Sequence, residues 1–161
     1  MNGLSLVANG ELFAVDVTTV EKVVRNMAWT RVPAASDAVA GIANHKGGIV
    51  TLLSLSELMG HGSSEQAVNA VIFKHFKNEN GQMGLLVDSP GDLIDITESD
   101  VIPQGLSAAG TESSIISGLA EIEGKLYRII DIFSIIDRFK DSGKKSANKE
   151  SKGGLENYEE D

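Results

Sequence analysis

The chain has 161 residues, room for one domain rather than two. Its 14 Lys and Arg stand against 23 Asp and Glu, a net charge of −9 that repels nucleic-acid phosphates, and aromatic residues make up only 5%, too few for a base-stacking platform. Cysteine is absent, which excludes disulfides, thiol catalysis and thiolate metal sites; apolar runs stop at four residues, far below the ~18 that a membrane span needs, and Met1 to Gly10 lacks the basic start and apolar stretch of a secretory signal, so the expectation is a cytoplasmic protein.

In chain order, the first expected element is a hairpin. Leu4, Leu6 and Ala8 alternate before Asn9-Gly10, and Leu12 and Ala14 after it, with Asn-Gly supplying the positive φ angles of a type I′ turn. Val17, Val20 and Val24 then recur at helical spacing beside Glu21, Lys22 and Arg25, which predicts a short helix over Thr18 to Arg25. Gly41 and Gly47-Gly48 bracket Ile42 to Lys46 and read as tight turns between strands. Ser54, with Glu57 three residues on, is a capping pattern for one helical turn through Leu58.

Two further hairpins follow. Val68 to Phe76 pairs with Met83 to Val87 about Asn80-Gly81, and Ile115 to Ile122 pairs with Lys125 to Ile130 about Glu123-Gly124. Ile132, Phe133, Ile135, Ile136 and Phe139 form one apolar stripe of a closing helix, with Asp131, Asp137 and Arg138 turned to solvent. From Lys140 to Asp161 the chain holds five Lys and six acidic residues, with only Ala147, Leu155 and Tyr158 apolar. The expectation is therefore an all-β domain of small barrels over residues 1–139 and a charged, disordered tail over 140–161.

No catalytic constellation emerges. His45, His61 and His75 are separated by 16 and 14 residues, which matches no metal-ligand spacing, and His75 reads as a strand residue. Neither a Gly-x-Ser-x-Gly elbow nor a phosphate-binding glycine loop occurs. Glu121 and Glu123 share a strand face but approach a turn, where solvated carboxylates are expected rather than an acid/base couple. No cofactor or metal is expected, and a small acidic β domain of this kind works by its surface.

The order of the motifs carries a resemblance. Phe13 to Val24, then Val32-Pro33, then Val39 through Gly48 to Val50, followed by Gly84 to Ser89, Ile116 to Ala120 and Ile129 to Ile132, resemble in order and spacing the CheW family of chemotaxis coupling proteins over residues 3 to 139. The resemblance implies two intertwined five-stranded SH3-like β-barrels with short helices and no chemistry. It implies a non-catalytic adaptor whose partners are the cytoplasmic tip of methyl-accepting chemoreceptors and the regulatory domain of a CheA-type histidine kinase, held near the membrane only by protein contacts. The receptor groove is implied at Val20, Lys22, Val23, Asn44, His45, Lys46 and Gly47, with Lys46 at a rigid strand start pointing into the groove. The sequence departs from the family pattern where His45-Lys46 replaces Leu-Arg, Lys22 an acidic residue, Thr51 a proline and Ser54 an aspartate. Two alternatives stay open: a diverged CheW-like paralogue of another kinase-linked motility or developmental pathway, to which these departures point, and, from a different class, a small β-barrel hydrolase.

Overall fold

The computed structural model describes residues 1–32, 38–62, 67–75, 81–102 and 115–138. Met1–Ile130 and Asp131–Asp161 are separate compact units. In the first, the opening hairpin forms as its turn dictates. Strands β1 (Asn2–Ala8) and β2 (Glu11–Asp16) pair antiparallel with Leu6 opposite Phe13, and Asn9 and Gly10 take φ of 52 and 76, as a type I′ turn requires. The chain then leaves this sheet for six strands: β3 (Val20–Val24), β4 (Thr30–Arg31), β5 (Val39–His45), β6 (Gly48–Ser54), β7 (Asn69–Phe73) and β8 (Gln82–Val87). It returns through β9 (Ser89–Asp95), β10 (Ile116–Ile122) and β11 (Lys125–Ile130). The first sheet has five strands in the order β10-β11-β2-β1-β9, and the second has six, ordered β3-β7-β8-β6-β5-β4.

Several expectations are corrected. Thr18 to Arg25 is not a helix: Asp16 caps a single 3-10 turn over Val17–Thr19, and the chain continues as β3. The valines at 20, 23 and 24 are β-branched and stiff, which favours a pleated strand over a helical turn. Gly41 lies within β5, not at a turn. His75 lies beyond the end of β7 and is exposed. The hairpins do not make a purely antiparallel structure, because β6 runs parallel to β8 and β11 parallel to β2. Five strands per sheet holds only for the first sheet, and among the described residues neither ladder closes on itself.

Other elements form as expected. Ser54 Oγ accepts from the Glu57 amide at 3.2 Å and starts the one-turn helix α1, Leu55–Leu58. The hairpins β7–β8 and β10–β11 both form, the latter turning through Glu123 at φ 51 and Gly124 at φ 78; Asn80, assigned to the other turn, lies outside the described residues. In the second unit, residues 132–138 are helical. Asp131 caps them, its Oδ1 accepting from the Phe133 and Ser134 amides at 3.1 and 3.4 Å. Ile132 and Ile135 are buried but Phe133 is exposed, so the apolar stripe is narrower than its composition suggests; Phe139 and the tail lie outside the described residues.

Each sheet curls around its own core. Ile94 and Ile96, from the β9 end, pack in one cluster with Ala120 and Ile122 of β10, the opposite edge of the first sheet, and with Ala14 and Tyr127. In the second sheet Ala43, Val50, Leu52, Ala70, Ile72 and Leu86 form the core, with Val24, Met27 and Trp29 packed against it. Asp88 joins the two sheets: its amide donates to Val7 O at 2.9 Å, its Oδ2 accepts from Asn9 N at 2.9 Å, and its carbonyl accepts from Asn69 Nδ2 at 2.8 Å. The junction is thus held by polar groups that run from half-buried, at Asp88 and Asn69, to exposed, at Asn9.

Close packing of β4 on β5 makes a clear prediction. A Cβ on Gly41 would lie 2.0 Å from the Thr30 carbonyl oxygen and 2.8 Å from the Trp29 ring, whereas one on Gly118 would meet nothing within 4 Å. Gly41→Ala is expected to cost about 1–3 kcal/mol as β4 is pushed away. Gly118→Ala should stay within about 0.5 kcal/mol of the parent. Urea denaturation of the two variants checks the contrast.

Candidate partner-binding site

Two segments that the sequence keeps more than 20 residues apart meet at one carboxylate. Glu21 Oε2 accepts from His45 Nε2 at 2.7 Å and from Gln82 Nε2 at 2.9 Å. The carboxylate can only accept, so His45 carries its proton on Nε2. Gln82 uses its second amide hydrogen on the Phe73 carbonyl, also at 2.9 Å. His45 and Gln82 are both 8% exposed, so each would lose a hydrogen bond it could not recover from water if Glu21 were absent.

Local backbone geometry explains how Glu21 reaches this point. The β3–β7 register pairs Val20 with Phe73 and Lys22 with Ile72, leaving Glu21 as the extra residue of a β-bulge, a device that re-aims a side chain out of the normal alternation. Strands β3 and β5 are four strand steps apart in the ladder, roughly 19 Å in a flat sheet. A 2.7 Å contact between their side chains therefore requires the second sheet to curl nearly into a tube.

The turn after β5 is the second part of the site. His45 pairs with Gly48 across a two-residue loop in which Lys46 has φ 52 and Gly47 φ 79, and Asn44 Oδ1 accepts from Gly47 N at 3.2 Å. Lys46 is thus the first central residue of a hairpin turn, not the start of a strand as expected. A β-carbon in the left-handed region costs roughly 1–2 kcal/mol, and Lys lacks the local hydrogen bonding that lets Asn9 and Asn26 tolerate it. Lys46, Gly47, Gly48 and Ile49 are exposed, Ile49 at 64%.

The structure thus brings the segments Val20 to Val23 and Asn44 to Gly47 together but divides their roles. Lys22, Asn44, Lys46 and Gly47 face solvent, Val20 and Val23 are half-buried, and His45 is turned inward. Sequence reasoning passed over Glu21 and Gln82, the residues that join the segments, and Ile49, the most exposed apolar side chain beside the turn. Alternation in β3 offered no signal for Glu21 because the bulge breaks it. Among the described residues no group of three or more His, Cys, Asp or Glu could hold a metal.

The CheW-like domain family model matches residues 2–140. The chain belongs to the CheW-like domain family. Relatives include the "Chemotaxis protein CheW" of Thermotoga maritima, 28% identical with 83% of this chain and 86% of the relative covered, and that of Rhizobium meliloti, 26% identical with 76% and 79% covered. The fold is similar to a crystal structure of the scaffolding protein TtCheW from Thermoanaerobacter tengcongensis, with TM-score 0.68, 23% identity, and 80% and 82% of the two chains covered. As a member of the CheW-like domain family, the chain is not an enzyme. No helix among the described residues is long and apolar enough to cross a membrane.

Two predictions follow from this CheW-like site. Lys46→Asn should raise stability by about 0.5–1 kcal/mol, since Asn tolerates the left-handed region that Lys occupies at a cost; urea denaturation measures it. Hydrogen bonds from Gln82, then from His45, and the nearby Lys46 charge hold the Glu21 carboxyl below its ordinary value. A depressed carboxyl pKa means that Glu21 favours the fold above the unfolded-state value and loses that contribution as pH falls through the lower, folded-state value. Carbon-detected NMR titration should find Glu21 below the usual glutamate range, and Gln82→Ala should move it back up further than His45→Leu does.

Proposed function

We propose that the chain is a non-catalytic adaptor of chemotaxis that joins the cytoplasmic tips of methyl-accepting chemoreceptors to the regulatory domain of a CheA-type histidine kinase. It sits at receptor arrays through protein contacts alone and takes no nucleic acid. The support is the family match across residues 2–140 and relatives that carry the name Chemotaxis protein CheW. The finer fold reading goes with it: the two curled sheets correspond to the two SH3-like barrels of the family, the second nested in the chain between the hairpin β1–β2 and the return through β9 to β11. In this reading residues 140–161 take no part in coupling, and receptor and kinase occupy different faces.

The observation that carries the receptor assignment is the meeting of the β3 edge with the Lys46 turn. There the exposed ammonium groups of Lys22 and Lys46 lie on the two segments that Glu21 and His45 join. A cationic rim suits a partner surface with carboxylates or carbonyl oxygens, and Lys supplies it as a point charge rather than a two-pronged fork.

Calorimetry on receptor signalling fragments tests the assignment. Lys46→Glu should weaken binding by about 1–3 kcal/mol, the range for a charge-assisted contact, without unfolding an exposed turn. Lys46→Arg should hold or improve it, because the fork offers two bonds to a carboxylate. Equal affinities in the three proteins would remove Lys46 from the interface, and binding to no kinase regulatory domain and no receptor fragment would sink the adaptor reading.

A further inference from the structure

We infer that Glu21, His45 and Gln82 form a latch whose role is to position the Lys46-Gly47 turn against the β3 edge, so that His45 and Glu21 set partner affinity without touching the partner. The inference rests on the adaptor reading for the identity of the partner, but the latch itself stands on geometry alone.

Four observations converge. First, two nearly buried donors, His45 Nε2 and Gln82 Nε2, aim at the same oxygen of Glu21 at 2.7 and 2.9 Å, although no sheet ladder needs either bond. Second, the acceptor sits at the one place where β3 carries an extra residue, between Val20 and Lys22. The bulge interrupts pairing with β7, and what the strand gains in exchange is the carboxylate directed at His45. Third, His45 is the stem residue of the turn, paired with Gly48, so an imidazole fixed at Nε2 fixes the base from which Lys46 projects. Fourth, Lys46 is held at φ 52, a conformation that a free Lys-Gly loop would tend to leave; a stem held on both sides resists that relaxation. The charged groups around Glu21 are consistent with this role: Lys46 adds a favourable charge, while Gln82 and the Phe73 carbonyl are neutral.

The apolar alternative at position 45 could fill the same space but could not hold Glu21. The latch is therefore a property of this chain's His45 with Glu21 and Gln82 together, and the loss of Glu21 leaves two nearly buried donors without their shared acceptor. Lys22, next to the bulge on β3, and Ile49, next to the turn on β6, are the exposed side chains whose relative placement the latch fixes.

The test uses the full chain as wild type, Glu21→Ala, His45→Leu and His45→Gln, the last retaining an N–H donor. In the free proteins, amide hydrogen exchange at residues 20–22 and 45–48 should accelerate about tenfold in Glu21→Ala and His45→Leu, the equivalent of losing one charge-assisted hydrogen bond. It should stay near wild type in His45→Gln. Affinity for a chemoreceptor signalling fragment should fall in the same two variants and be rescued in the third, while affinity for a kinase regulatory domain stays constant in all four. Unchanged exchange in every variant overturns the latch whatever the binding shows. Faster exchange with undiminished receptor affinity overturns its positioning role. A wild-type protein that binds no receptor fragment overturns the adaptor reading instead, and the exchange data still decide the latch.

Discussion

A carboxylate on a bulged strand, satisfied by an imidazole and an amide that are themselves almost out of water, is the constraint on which the second sheet depends. Glu21 draws together residues from β3, β5 and β8, and through Gln82 it also reaches the end of β7. Hydrophobic burial supplies the drive to curl this sheet, since Val50, Leu52, Ala70 and Ile72 are wholly buried, but burial is not directional and would accept many curvatures. The Glu21 contacts select one. Nearly buried polar groups are costly when unpaired and nearly neutral when paired, so the network penalises alternatives more than it stabilises the native arrangement.

The junction between the sheets follows the same logic with different groups. Asp88 is the single residue between β8 and β9, and its amide, carboxylate and carbonyl bind Val7, Asn9 and Asn69 respectively. Asn69 then accepts from the Asn26 amide at 3.1 Å, which ties the loop after β3 into the same joint. Glu11 lies between His61 at 3.6 Å and Arg128 at 3.8 Å, but such half-exposed pairs contribute little beyond orientation. At this joint short hydrogen bonds, not surface charge, fix the arrangement, in keeping with a molecule whose net charge of −9 repels itself.

How much of this was legible in the sequence depended on how local each determinant is. Asn9-Gly10 and Glu123-Gly124 announce their hairpins because the turn geometry is written in two adjacent residues, and Ser54 with Glu57 marks α1 for the same reason. The Lys46-Gly47 turn was half-visible: glycine was noted, but a lysine at positive φ is not a turn signal. The helix expected at Thr18 to Arg25 failed because valines at 17, 20 and 24 satisfy a helical period by accident while their branching, and the partner strand β7, favour a strand. Family resemblance pointed to the two segments that the Glu21–His45 contact joins. It could not identify Glu21, since the residue that matters is out of phase with its own strand, and its partners lie 24 and 61 positions away across a curl that no local pattern encodes.

The departures at positions 22, 45 and 46 take on a common meaning in this light. An acidic residue stands at 21, the extra residue of the bulge, rather than at position 22 where the family pattern has one, and the nearly buried 45 carries an imidazole where that pattern has an apolar leucine. The two changes are complementary: the nearly buried imidazole needs an acceptor, and the Glu21 carboxylate, itself still open to solvent, supplies it. With the Glu21 carboxylate engaged by His45 and Gln82, Lys22 and Lys46 are the exposed cations on these two segments. Lysine at 22 in place of an acidic residue makes this surface more cationic than the family pattern, and a left-handed lysine whose conformation opposes stability keeps its position because the stem beneath it is held. Strain of this kind persists where surrounding contacts over-determine the backbone, and at this turn those contacts are the hydrogen bond from Gly47 to Asn44 and the one from His45 to Glu21.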